Sequence, residues 1–492
     1  MAGAELLAGV RAQRAANGWR ILREFADLLA LDNVTGDLPA LRRNAEAIAA
    51  LFAARGLDME ACEHAEAAPL VVGHLLADED APTLGVYVHY DGQPVDAASW
   101  RTPPFEPRLR AQPGGETVAF PGPGDPIDPD WRLFARSAAD DKAPLIALAS
   151  ALDALRGVGA TPRVNLVCCF EGEEESGSTH LRSYLETLGE RLRADAWLIC
   201  DGPVHQTGVP QIVLGVRGYC GFDLTVYGPR HELHSGHYGN WVPNPALELA
   251  HVLASCKDAS GRVTIDGFYD DTRPPSPAER RHLAALPSVE KQLRDELGIA
   301  APEVAEARLV ERLMLPSFNV RGLAAASVGV EARNVIPASA TASVDIRLAP
   351  GDDPGRMLRL VRQHLARLGY HVVDREPTAA ERRAGRVARL AAHEAYPAAR
   401  ANAGAPIVEH LVEAATAAAG RPALTMPTLG GSVPLHHFTD VLGVPAVIVP
   451  IANPDNNQHA ADENLRLGNL WYGIDLWSLL LTGPWAPAGE RS

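Results

Sequence analysis

Apolar residues recur at i, i+3 and i+4 over residues 19–31 and again over 38–54, so the chain opens with amphipathic helices. Short continuous apolar runs then follow. Residues 84–89, 164–170, 196–200 and 446–451 have the length of buried strands. Helix-period segments lie between them, at 143–155 and 178–192, and Asp140 or Asp141 is placed to cap the first of these. Residues 103–130 are rich in Pro and Gly and predict a loop with one hairpin. Strands alternating with helices predict parallel pairing, hence an α/β fold with a mixed, mostly parallel sheet flanked by helices. From about Ile212 the pattern changes. Two strand-like runs within 211–227, a helix over 243–256, a strand over 341–348 and a helix over 357–368 predict an inserted α/β domain. The charged stretch 274–310 predicts solvated helix and loop. The expected division is a discontinuous domain, residues 1–213 plus 403–492, interrupted by a second, residues 214–402.

The polar residues gain meaning from where the apolar runs end. His89-Tyr90-Asp91, Glu171 to Glu175, Asp201-Gly202 and the 453–459 loop ending in His459 each follow a strand-like run. In such sheets, functional groups gather at the carboxyl ends of the strands. Segments far apart in sequence are therefore expected to meet at one edge. Together with Asp140-Asp141 they supply two imidazoles and at least five carboxylates. That many acids in one pocket repel each other unless cations balance them. Two divalent metals would do so, which points to metal-assisted hydrolysis. In extended chain, Asp91 points the same way as His89, so it is placed to hold the second ring nitrogen. Within Glu171 to Glu175, one glutamate suits metal ligation and a neighbour suits proton transfer.

Composition narrows the partners. With 47% hydrophobic and 22% charged residues the chain is globular, and 492 residues exceed one ordinary core. A formal net charge of −16 opposes nucleic acid and anionic membranes. No stretch reaches the ~18 apolar residues of a membrane span. Cys168 and Cys169 sit inside an apolar run and read as buried thiols, and the cysteines show no disulfide framework. A cytoplasmic location is expected. His231, His234 and His237 are spaced like ligands, but their Gly- and Ser-containing loop reads as a substrate-contacting segment.

The ordered set H-Y-D, A-D-D-K, E-G-E-E-E-S-G-S, L-H-S-G, N-V-I-P, S-V-D-I-R-L, G-G-S-V-P and the late histidine resembles the M20 metallopeptidases, closest to their carnosinase-like dipeptidase branch. The resemblance implies that His89, Asp140 and Asp201 bind one metal. Asp140, Glu175 and His459 would bind the other. Both ions would be zinc, with cobalt or manganese as substitutes. It implies that Asp91 orients His89 and that Glu174 is the general base acting on metal-activated water. It also implies a cis Asp140–Asp141 peptide. The inserted domain becomes a lid that forms a homodimer, and His234 reaches the partner's active site to stabilise the oxyanion. Asn334, Arg347, Gly431 and Ser432 would hold the substrate. The implied reaction is cleavage of a peptide or amide bond in a small substrate with a free carboxylate. One departure stands out: Thr428 and Leu429 replace the branch's Arg-Glu, whose acid meets the substrate amine. That favours, as the alternative, an N-acyl-amino-acid deacylase acting on N-blocked substrates.

Overall fold

The computed structural model describes residues 3–431 and 433–485. In chain order the first strands are β1 (Asp58–Cys62), β2 (Leu70–Leu75), β3 (Thr83–His89), β4 (Asn165–Glu171), β5 (Ala196–Ile199) and β6 (Gln211–Val213). Next come β7 (Gly218–Tyr227), β8 (Ser317–Ala324), β9 (Ser339–Leu348), β10 (Tyr370–Val373) and β11 (Arg386–Tyr396). Then β12 (Leu424–Met426) and β13 (Ala446–Ile448) return to join the first group. The first group forms an eight-stranded sheet in the order β1-β2-β4-β3-β5-β13-β6-β12. Its centre, β4-β3-β5-β13, is parallel, whereas β1, β2 and β6 bring antiparallel pairs. The sheet is thus mixed and mostly parallel, as expected from the alternation. The second group forms a five-stranded sheet, β8-β9-β7-β11-β10, antiparallel except for β10 beside β11.

Period-2 alternation sorts the large sheet's side chains between two cores. Val86, Val88, Cys168, Phe170, Leu198 and Val447 face helices α1 (Gly3–Leu29), α2 (Leu38–Ala53), α3 (Lys142–Gly157), α4 (Pro406–Ala419) and α5 (Leu467–Thr482). Tyr87, Cys169, Trp197, Ile199 and Ile448 face the other way, toward helix Leu181–Leu188 and Phe438. Adjacent Cys168 and Cys169 therefore lie in opposite cores, both fully buried. Among the described residues, no helix is long and apolar enough to cross a membrane.

A small four-stranded sheet completes the part that matters for chemistry. The expected hairpin is there, Arg108–Arg110 against Thr117–Val118, and Arg132–Phe134 pairs with Asn464–Arg466. That last pairing brings the chain just beyond His459 against the chain just before Asp140.

Two expectations need correction. Neither Asp140 nor Asp141 makes a side-chain cap: α3 has Asp141 at its N-cap without a side-chain bond, because the Asp140 carboxylate is turned to two histidines. The 274–310 stretch is not merely solvated. Its helix Pro277–Ala285 is opened by a Ser276–Glu279 capping box, and Leu283, Leu286 and Val310 are buried against the second core of the large sheet.

Candidate active site

β3, β4, β5 and β13 run parallel, so their carboxyl ends lie on one edge. His89 is the last residue of β3, and Asp201 follows β5 by two positions. Glu174 and Glu175 lie on a short turn after β4. Gly172 makes that turn fit, because a Cβ there would lie 2.6 Å from the Tyr90 ring. His459 adopts φ = 60°, in the left-handed region that ordinary residues rarely use. The Asp140–Asp141 peptide is cis.

The five expected ligands converge in two groups that share Asp140. His89, Asp140 and Asp201 form one; Asp140, Glu175 and His459 form the other, with ligand atoms in each within 4.8 Å of one another. The Asp140 carboxylate lies between two rings, Oδ1 at 2.9 Å from His89 Nε2 and Oδ2 at 3.0 Å from His459 Nε2. His459 Nε2 is also 3.2 Å from Glu175 Oε2. Asp140 Oδ2 is buried yet makes no well-directed hydrogen bond. Imidazole and carboxylate atoms that converge on so small a space suit a cation. Three donors per group, imidazole and carboxylate, are the set that catalytic zinc uses with one position left open. The residues present therefore fit two divalent ions.

Electrostatics tell the same story. Burial pushes Asp201 up to about 7, with the Asp140 charge adding to it. Loss of hydration lifts Glu174 well above the ordinary carboxylate range; Asp201 and Glu175 add to this while His89 opposes it. Contacts with Asp140 and Glu175 lift His459 to about 10. Acids forced toward neutrality beside imidazoles forced toward protonation mark a pocket short of positive charge.

Asp91 does more than the sequence suggested. Its carboxylate is 3.4 Å from His89 Nδ1, and its backbone oxygen is 3.2 Å from the same nitrogen. The two carboxylate oxygens also accept the amides of Glu174 and Glu175, each at 3.1 Å. One acid thus ties a histidine to the turn bearing Glu174. Gln93 adds a bond from Nε2 to Glu175 Oε2 at 2.8 Å. Glu171 is not part of the cluster. It is buried, with Tyr87 Oη donating at 2.5 Å and Ser178 Oγ at 3.1 Å.

Glu463 escaped the sequence reading altogether. Fully buried, it accepts the amides of Ser137, Ala139 and Asp140 at 3.0, 2.9 and 3.0 Å, and Arg136 Nη1 at 2.8 Å. It fixes the turn that presents Asp140. The available signal was an acid four residues beyond His459 in a loop already marked by that histidine.

The remaining expected residues belong to other segments of the chain. His234 is exposed, its Nδ1 accepting the Gly236 amide at 3.1 Å and its ring 4.6 Å from that of His237. Asn334 is exposed beside it, its backbone oxygen accepting the Ser235 amide at 3.0 Å. Among the described residues, no hydrogen bond, ion pair or ring contact joins either to the acidic cluster. Arg347 lies on β9, with Nε 3.6 Å from Asp345 Oδ2. Gly431 is exposed, and Ser432 lies outside the described residues. Leu429, where an acid was looked for, packs against the second core of the large sheet, and its amide donates to Gly215 O at 2.8 Å.

The family model described as peptidase family M20/M25/M40 matches residues 85–483. The Cys-Gly metallodipeptidase of Schizosaccharomyces pombe is 30% identical over 305 residues, 61% of this chain and 60% of that protein. The Beta-Ala-His dipeptidase of Mus musculus is 27% identical over 305 residues, 60% of this chain and 58% of that protein. The matched part of the chain thus spans about 60% of the length of these curated relatives. Among solved structures, an M20 family metallo-carboxypeptidase from Sulfolobus solfataricus superposes with a TM-score of 0.76 at 26% identity, covering 94% of this chain and 98% of that one.

Proposed function

Because the chain belongs to peptidase family M20/M25/M40, we propose that it is a two-metal dipeptidase, cleaving the peptide bond of a small substrate that carries a free carboxylate. The observation that carries the proposal is the pair of three-donor groups sharing Asp140, with Glu174 beside them. His89, Asp140 and Asp201 would hold one ion, and Asp140, Glu175 and His459 the other. Zinc suits these donors, and cobalt and manganese use the same ones. Bound there, divalent ions supply Lewis-acid polarisation of the carbonyl and acidify water.

The chain's own residues do the rest. Glu174 takes a proton from the attacking water as the new C–O bond forms. It returns the proton to the amine nitrogen as the C–N bond breaks. Asp91 keeps His89 and the Glu174 turn in register. Arg347 would pair with the substrate carboxylate through its planar fork, together with Ser432, and Gly431 and Asn334 would help hold the substrate.

His234 would stabilise the oxyanion in a second copy of the chain, giving a homodimer formed through the segment 214–402, which acts as lid. Support comes from the exposure of His234 and from the exposed Trp241, Leu323, Val328 and Val330 on the same segment. We place the protein in the cytoplasm. Its six cysteines, all free, support a reducing compartment. Both curated relatives are named dipeptidases and Leu429 is accounted for by packing, so the dipeptide reading is carried forward over the deacylase.

Glu174→Gln tests the mechanism. The variant should retain both metals and lose turnover by about 10²–10⁴-fold, the usual worth of a general base. Near-normal turnover by a metal-replete Glu174→Gln protein would sink it.

A further inference from the structure

Residues from the segment 257–318, with Arg217, surround a cavity of about 340 Å³, and no residue of the metal groups lines it. One wall is helix Glu290–Leu297, whose Leu293 and Leu297 stand four positions apart and so share a face. Gly298, at φ = 65°, then turns the chain back, which brings Ile299 onto the same wall. The short helix Leu309–Arg312 and the Leu313 that follows it make a second wall. Val263 and Phe318, at the start of β8, form the buried floor.

Hydrogen bonds hold this enclosure together. Glu290 Oε1 accepts the Leu309 amide at 3.1 Å, joining the two helices. Arg308 donates to the carbonyls of Leu283 and Leu286 at 2.8 and 2.9 Å, which fixes the chain entering the second helix. Lys257 Nζ donates to Glu303 Oε2 at 2.7 Å at the rim. Arg217 Nη2 donates to Leu315 O at 2.8 Å.

Two features call for an occupant. Leu297, Ile299 and Leu309 line the cavity, yet they are 66%, 45% and 39% exposed. Apolar side chains gathered on one concave surface mark a ligand site, whereas those scattered singly do not. The second feature is charge. Arg217, Lys257, Arg294 and Arg312 face only two lining carboxylates, Glu290 and Glu303, in a chain whose formal net charge is −16. Both carboxylates are already engaged, Glu290 with Ser288 Oγ and the Leu309 amide, Glu303 with Lys257. Among the described residues, the Arg294 and Arg312 side chains make no hydrogen bond or ion pair.

We propose that this cavity binds a short aliphatic monocarboxylate, its chain covering Leu293, Leu297 and Ile299 and its head drawn by Arg294 and Arg312. A bare anion would leave the leucines uncovered, and a neutral chain would leave the arginines unanswered; guanidinium and carboxylate match in charge and in planar geometry. The volume lies at the lower end of the ~300–1,000 Å³ of small-molecule sites, which suits a chain of about eight carbons. The site is separate from the metal groups and stands whether or not the protein is a dipeptidase.

The test is calorimetry on the full-length, metal-loaded protein with butyrate, hexanoate, octanoate and octanol. One octanoate should bind per chain, with affinity rising about three- to fourfold per methylene along the series. Octanol should bind about tenfold more weakly than octanoate. Leu297→Glu sets a carboxylate at an exposed position of the wall and should weaken octanoate at least about tenfold without lowering the melting temperature, as should Arg312→Gln. Leu247→Glu, at a leucine 62% exposed away from the cavity, should leave binding unchanged. Octanoate held at the metal groups would be lost on removing the metals and would survive Leu297→Glu, and that pattern overturns the proposal. Affinity independent of chain length, equal binding of octanol and octanoate, or several molecules bound per chain also overturns it.

Discussion

Replacing Glu463 by Gln changes one oxygen to an amino group and leaves the shape of the side chain alone. The consequence is large because both oxygens are fully used. Oε1 accepts the amides of Ala139 and Asp140, while Oε2 accepts the Ser137 amide and Arg136 Nη1. Whichever oxygen is replaced, two donors then face a third. Hydrogen bonds to a charged group are worth about 1.5–3 kcal/mol each. Arg136, only 2% exposed, also loses its counter-ion. Breaking a buried ion pair from one side costs about 3–5 kcal/mol, and we expect Glu463→Gln to fall in that range. Because the Asp140 amide is one of the four donors, the ligand proposed to be shared by the two metals should loosen too, and affinity at both groups should fall about 10–100-fold. Denaturant unfolding followed by tryptophan fluorescence reads the first effect; competition with a chromogenic chelator reads the second. Glu303→Gln is the control. Its pair with Lys257 lies at the surface, with the glutamate 61% exposed, and should contribute under about 1 kcal/mol. If Glu463→Gln unfolds within about 0.5 kcal/mol of wild type and holds both metals as tightly, Glu463 is not the anchor of the Asp140 turn.

Burial alone would raise Glu279, but the Ser276 amide and Arg400 outweigh it and hold the carboxyl below its ordinary value. A carboxyl depressed in the folded state stabilises above its unfolded pKa, and that stability drains away as pH falls through the folded value. Glu279→Gln should therefore lower the melting temperature at pH 7, with the gap closing below about pH 4; a gap constant from pH 7 to 3 contradicts this. Gly172→Ala drives a methyl into the Tyr90 ring and Ala68, both buried, and overpacking of this kind costs about 1–3 kcal/mol. Its turnover should drop with both metals retained, since the Glu174 turn moves; wild-type turnover would show that the turn tolerates the shift. Stripping the metals should lower the melting temperature and restoring them should raise it in a concentration-dependent way, because ions that bind only the native state stabilise it by mass action. A melting temperature indifferent to added zinc would count against two ions at these groups.

The large sheet and most of its active-site chemistry were legible because they rest on local signals. A buried strand announces itself by a continuous apolar run, and the polar residue that ends it marks the sheet's edge. Strand ends therefore pointed to His89, to the run Glu171 to Glu175 and to Asp201, while the family resemblance singled out Glu174 and Glu175 within that run. Other elements carried no such signal. β1 (DMEAC) is short and polar, and β11 (RVARLAAHEAY) is rich in residues that also suit helices. Both are strands because neighbours offer them hydrogen-bonding partners. The 274–310 stretch looked solvated because its few apolar residues are scattered, yet Leu283, Leu286 and Val310 find a core contributed by distant strands.

By itself, the sequence determined which donors exist, which stand at strand ends, and that too many acids were present to share a pocket without cations. These are properties of residue type and of periods a few residues long. Only the tertiary structure decided that Asp140 lies between two imidazoles, that Glu463 holds its turn from 323 residues away, and that Leu297, Arg312 and Phe318 line one cavity. Those contacts depend on strand register and on chain segments meeting through pairings such as Asn464 with Phe134. Register is set by the whole set of buried faces packing at once, so no local stretch of sequence encodes it.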